Sequence, residues 1–349
     1  MRKYAFLLAI PLLCSAQTLK LTKKAQTFDR AQSIAWVSAQ SLVVARWDAT
    51  LSIFRPPGPG EFGPMLTEVL MAPSKKPVEA VIPISADSFV TSNDEKSLSV
   101  WRSNGNLFSL AQTLQYDASI GTVNSGSLVE DSGKSWLVAG HSEGYLTIWT
   151  IKQNVLRFER SVSVRSLNPI PSPYKLWNVR GVVAWKGRLV VTGGEDGDLA
   201  LVEVPTGTII SRMRYNPAAQ RGINSLSLLD DYLIAANCSV GSTDKNLWLY
   251  KVQADKVVPL DSVNLVKDTS RAQVFDFSTQ LTRIDGQPEF FASTEEGLVW
   301  LGTIENDKLK TASSIQVVDS GGAALAKEPN SNLLSAVAYD VDLLEPSKQ

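Results

Sequence analysis

One phrase returns along this chain and limits what it can fold into. It is an apolar β-type run, a tight acidic or glycine-rich turn, and a second apolar run closing on a bulky residue. It reads SLVVARWDATLSIF to Phe54, SFVTSNDEKSLSVW to Trp101 and SWLVAGHSEGYLTIW to Trp149. It continues as RLVVTGGEDGDLALV to Val202 and YLIAANCSVGSTDKNLWLY to Tyr250, then EFFASTEEGLVWL to Leu301 and NLLSAVAYDVDLL to Leu344. The closing residues recur about every 48 positions, a period at which one small structural unit stacks on its neighbours. Such a unit cannot cover both faces of its own sheet, so the repeats must bury one another.

Each hairpin has flanking segments that complete a four-stranded unit. Short runs upstream, at 33–38, 78–84, 120–128, 179–186, 222–229, 274–281 and 322–326, read as inner strands. More polar runs downstream, such as 107–116, 208–215, 257–266 and 308–318, read as outer strands. The seventh repeat has three strands of its own. A spare strand at 18–24, where Leu19 and Leu21 alternate with Lys20 and Thr22, fits its outer edge. The fold expected is all-β: a single seven-bladed β-propeller of four-stranded blades over residues 17–349, closed by an N-terminal strand pairing into the last blade. Closure also covers two sheet edges that would otherwise invite aggregation.

The hairpins resemble those of WD-repeat propellers. Gly140-His141-Ser142-Glu143-Gly144 followed by Thr147-Ile148-Trp149 is similar to that family's turn and third strand. So are Asn93-Asp94-Glu95-Lys96 with Val100-Trp101, and Gly194-Glu195-Asp196-Gly197. The family's Gly-His pair ahead of the inner strand is missing from every repeat, and the terminal Trp stands in the second and third only. A weaker resemblance, to quinoprotein-like propeller repeats, rests on Asp196-Gly197-Asp198-Leu199 through Thr206-Gly207. It implies a quinone cofactor with a calcium ion held by carboxylates.

Composition narrows the function. Thirty-four Lys+Arg against 35 Asp+Glu give a net charge of −1, which speaks against a nucleic-acid surface. One histidine, His141, and two cysteines leave little for zinc or a His-based triad. His141 falls in a hairpin turn and reads as a solvated side chain. The turn carboxylates Asp48, Asp94, Glu95, Glu143, Glu195, Asp196, Asp244, Glu295 and Glu296 suit tight turns, Asp because its side chain bonds the local backbone. No metal, cofactor or catalytic residue is expected. At the N-terminus, Arg2 and Lys3 precede an apolar run at 4–13, too short to span a bilayer, then Cys14-Ser15-Ala16. This reads as a signal peptide over residues 1–16, cut before Gln17. Leu13 is too large for a lipobox. The mature chain would keep one thiol, Cys238, read as a small buried apolar residue, and no disulfide.

Arginines stand at or just ahead of four inner strands: Arg30, Arg180, Arg221 and Arg271. Inner strands of a propeller line a central channel, so four guanidiniums are expected to converge on its mouth and hold a carboxylate or phosphate. The competing expectation is that each clamps an acidic turn on the adjacent blade. Tyr174 and Trp177, in the proline-rich connection 165–178, are candidate contact residues on the same face, or else caps folded back between blades. The stretch 56–64 reads as a plain connector on the opposite face. The reading is a secreted or periplasmic, monomeric, non-catalytic propeller that binds a protein or acidic peptide partner at the channel mouth. Two alternatives stand beside it: a periplasmic quinoprotein-like or sugar-active enzyme, and an intracellular WD-repeat scaffold with an uncleaved N-terminus.

Overall fold

The computed structural model describes residues 17–24, 29–58, 61, 63–94, 96–105, 107–153, 155–170, 176–240, 244–271 and 273–348. The chain runs as seven consecutive antiparallel meanders. Their innermost strands are Ala31–Ser38, Val81–Ser85, Val123–Asp131, Val179–Trp185, Ile223–Leu229, Gln273–Ile284 and Ala324–Lys327. Each blade adds its remaining strands outwards in chain order. In blade seven, Val341–Lys348 takes Gln17–Lys24 as its antiparallel outer neighbour, with Leu21 opposite Leu344. The only helical turn among the described residues is the 3-10 turn Ala118–Ile120, which Asp117 caps through Ser119 N–H.

The core is divided among seven seams, one between each pair of neighbouring blades. That division explains the unbroken apolar runs in the second strands. Side chains alternate between the two faces of a strand, and both faces of these sheets are buried. Leu42 and Val44 pack with Val337 and Val341 in the seam to blade seven. Val43 and Ala45, the residues between and beside them, pack with Phe89 and Trp101 in the seam to blade two. All four are 0% exposed. The bulky residues that close the third strands do the same work. Trp101 stacks on Phe89 at 6.2 Å and donates its indole N–H to Thr91 Oγ1 at 2.9 Å, so its polar end is satisfied inside the seam.

Blades five and six are joined more closely than the others. The inner strand Gln273–Ile284 opens by pairing Gln273, Val274 and Phe275 with Val240, Ser239 and Cys238 of blade five. Cys238 is buried there, its thiol donating to Ser239 O at 3.2 Å, and burial pushes the thiol up to about 12. It is the small apolar residue the sequence suggests. On the opposite face, the connector between the third and fourth strands of blade one is held by the Arg55 fork, whose two nitrogens reach Glu61 at 2.6 and 2.7 Å.

Leu19 sits in the seam between blades six and seven, so the N-terminal strand contributes both a sheet edge and core. A chain beginning at Asp29 loses that burial, roughly 1.5–3 kcal/mol for a leucine side chain, and bares the edge of Val341–Lys348. The expected outcome is loss of a single cooperative thermal transition and early aggregation on size-exclusion chromatography. An unchanged transition would show that the strand does not hold the ring.

Candidate functional site

Five inner strands carry a β-bulge at their start, where one residue is left without a partner on the neighbouring strand. The extra residues are Gln32, Asn124, Arg180, Asn224 and Phe277. A bulge re-aims the side chain it carries. Here all five are turned into one central cavity of about 1110 Å³. The residue after each bulge has a different task. Ser33 Oγ accepts from Val81 N at 3.1 Å, and Ser278 Oγ accepts from Leu325 N at 3.2 Å, each across a seam. Ser125 donates to Val179 O and Ser225 accepts from Thr279 N in the same way. In blade four this position is Gly181, where a Cβ would lie 2.6 Å from Leu226 Cγ. Serine therefore ties blade to blade, while the residue before it faces the ligand space. The polar doublets Gln32-Ser33, Asn124-Ser125 and Asn224-Ser225 are the sequence signal for this ring, and they stand apart from the strand-start arginines expected there.

The four strand-start arginines do not share a register. Arg180 is itself a bulge residue, whereas Arg30 stands two residues ahead of Gln32, Arg221 three ahead of Asn224 and Arg271 six ahead of Phe277. Arg30 and Arg180 line the cavity; Arg221 and Arg271 are not among its lining residues. Arg180 pairs with Glu195 at 3.1 Å and Arg271 with Glu295 at 2.9 Å. Both carboxylates belong to the arginine's own blade rather than to the adjacent one. Arg221 lies beside Cys238, and its carbonyl accepts from the Tyr215 hydroxyl at 2.6 Å. Trp177 braces blade three: the Arg165 guanidinium lies between its ring, at 5.4 Å, and that of Tyr145, at 5.0 Å. Arg165 also donates to Glu143 O at 2.7 Å. Tyr174 and Glu95 lie outside the described residues. Trp47, absent from the sequence candidates, lines the cavity and is 48% exposed.

Behind the mouth, a buried side chain at the end of a second strand pins the segment that leads into its own blade. Arg46 donates to Asp29 O and to Ser52 Oγ. Asn93 accepts from Ser74 N at 2.9 Å and donates to Ser97 Oγ at 2.7 Å. In blade three the anchor is His141. It is fully buried, not solvated as its place in the sequence suggests, because the strand Lys134–His141 carries it inward before the turn begins. Its Nδ1 lies 2.9 Å from Gly121 O and its Nε2 2.8 Å from Thr147 Oγ1. A carbonyl only accepts, so the proton is on Nδ1. Thr147 then donates to Nε2 and accepts from Trp149 Nε1 at 2.9 Å. The turn aspartates bond their own backbones: Asp48 accepts from Thr50 N at 2.9 Å and Asp94 from Lys96 N at 3.0 Å.

No protein-family model matches the sequence, and no curated protein matches it. Solved structures do. The structure of U3-55K superposes with a TM-score of 0.71 at 13% identity, covering 94% of this chain and 98% of that one. The WD40 β-propeller domain of Doa1 gives 0.66 at 12% identity over 94% and 97%. The β-propeller domain of Myceliophteria thermophila Cps50 (Swd1) gives 0.69 at 12% identity over 94% and 99%. The fold is that of the WD40-type, seven-bladed β-propeller.

Two buried groups give this face a testable acid response. Burial pushes the His141 imidazole down from 6.5 to about 4 and the Asp196 carboxyl up from 3.8 to about 6. As pH falls from 6.5 to 4, unfolded His141 takes up a proton that the folded form refuses. Stability is lost across that window, by about 3 kcal/mol at roughly 1.4 kcal/mol for each pH unit. Asp196 acts in the opposite sense. The folded form takes its proton near 6 and the unfolded form only at 3.8, so its contribution is present below 3.8 and lost as pH rises through 6. The two partly cancel in the native protein. Asp196→Asn should therefore steepen the fall of Tm between pH 6.5 and 4, and His141→Gln should leave Tm rising as pH drops from 6 to 4. Parallel Tm–pH curves for all three proteins would overturn both assignments.

Proposed function

We propose that this chain is a secreted, non-catalytic protein-binding module that receives a segment of its partner at the channel mouth. The observation that carries the reading is the ring of bulge residues around an open cavity of about 1110 Å³. Five blades each turn one side chain into the same space: three carboxamides, on two asparagines and a glutamine, with one arginine and one phenylalanine. A concave site with a few polar groups on a rigid frame suits recognition of a protruding peptide segment. The likeness to WD40-type propellers supports binding over catalysis, although fold alone does not assign a role. The single histidine of the sequence serves as a neutral structural anchor.

Export rests on the sequence. The basic pair Arg2-Lys3, the apolar run and the small residues at Cys14-Ser15-Ala16 have the order of a cleaved signal. Cutting before Gln17 removes no residue from the strand Gln17–Lys24. Protein isolated from its own host should have the intact mass of a chain starting at Gln17; a chain retaining Met1 would refute export. For the binding face, a photo-crosslinking residue placed at Asn224 should capture a partner in the host, and one at Lys308 on an outer strand should not. Adducts from Lys308 alone would refute the reading.

A further inference from the structure

We infer that the part of the mouth between blades six, seven and one is a site for an acidic side chain, an aspartate or glutamate of the partner segment flanked by an apolar residue. The inference deepens the protein-binding reading and rests on it. Arg30 provides the charge. Its guanidinium lies over the Phe277 ring at 5.6 Å, and among the described residues no carboxylate stands within ion-pair distance of it. Arg180 and Arg271, by contrast, each already hold a glutamate.

Space is kept open beside that guanidinium. Blade seven enters through Gly321 and Gly322, which line the cavity with Arg30 and Phe277. A Cβ at Gly321 would come within 3.1 Å of Arg30 Nη2, and one at Gly322 within 2.2 Å of Phe277 Cβ. Gly321 also has φ +82, a conformation that favours glycine. The rim changes character in the same sector. At the turn position that holds Asp94, Glu195 and Glu295 in blades two, four and six, blade one has Trp47 and blade seven has Tyr339. Trp47 and Tyr339 are 48% and 42% exposed. The backbone N–H of Trp47 donates to Arg30 O at 3.1 Å, which sets the two residues side by side at the entrance of blade one.

The chemistry follows from this arrangement. One face of the guanidinium rests on an aromatic ring, leaving the planar fork to take a carboxylate in two parallel hydrogen bonds. Glu79, Glu195 and Glu295 line the rest of the cavity and repel a second negative charge, so they direct an acidic group to Arg30. Trp47 and Tyr339 offer rigid apolar surface for the residue next to it.

Calorimetric titration with the blocked peptide acetyl-Gly-Phe-Glu-Gly-amide, whose only carboxylate is the glutamate, tests the inference against its Gln counterpart. The Glu peptide should bind, and the Gln peptide should be at least tenfold weaker. Arg30→Ala should lose tenfold or more for the Glu peptide, Arg160→Ala on the outer strand Val155–Ser163 should stay within twofold, and affinity should fall as salt is added. Equal binding of the two peptides, equal losses in the two variants, or no binding of the Glu peptide at millimolar concentration would overturn it. Capture from Asn224 separates the two levels. If a partner still crosslinks there while the peptides are not distinguished, the carboxylate site falls and the binding face stands. If Glu selectivity holds while capture comes from Lys308 alone, the partner-binding reading falls instead.

Discussion

Every sheet in this protein has two apolar faces, and no arrangement short of a closed ring covers both faces of all seven. The run Leu42-Val43-Val44-Ala45 shows the constraint in four residues, since its alternate members serve different seams and none touches water. Burial on both faces orients the blades radially and sets every inner strand beside the next. From this follow the central channel, the gathering of all inner-strand starts at one face, and the need for a strand at the outer edge of blade seven. The functional surface is thus a consequence of how the seams close.

Within that frame, adjacent residues at the start of an inner strand divide the work. The serine after the bulge reaches across the seam and is fixed by the backbone of the next blade. The bulge residue has no ladder partner and contributes little to the sheet, so its chemistry is open to selection by a ligand. Blade four, with Arg180 at the bulge and Gly181 after it, shows the alternative to a serine clip. There Leu226 of blade five fills the space a side chain would take, and packing replaces the hydrogen bond.

The architecture was legible because strand pairs buried on both faces leave continuous apolar runs, and turns between them need Gly and Asp. These are local signals. The site was legible only in part, because it depends on register. Arg30, Arg180, Arg221 and Arg271 all lie near strand starts in the sequence, yet a bulge moves the facing position by one residue and the blade-five pairing of Gln273–Phe275 moves it further in blade six. Trp47 was hidden for a related reason. It sits among acidic turn residues and reads as part of a turn, and only the pairing of blade one's first two strands sets its backbone beside Arg30 and its side chain at the cavity. His141 was misread because a Gly-His-Ser-Glu-Gly string looks like a turn, while its partners, Gly121 and Thr147, come from elsewhere in the blade.

The anchors behind the mouth explain how so irregular a set of repeats keeps a regular fold. In blades one to three, what is needed is a buried donor or acceptor at the end of the second strand that satisfies the backbone leading into the blade. An arginine, an asparagine and a histidine meet that need in blades one, two and three through different atoms and different partners. The requirement is on hydrogen bonding and volume, not on residue type, so the sequence can drift from any common motif while the geometry persists. At the mouth the side chains are tied to the frame as well, since Gln32 of blade one donates its amide to Glu79 Oε2, just ahead of blade two's inner strand, at 3.0 Å.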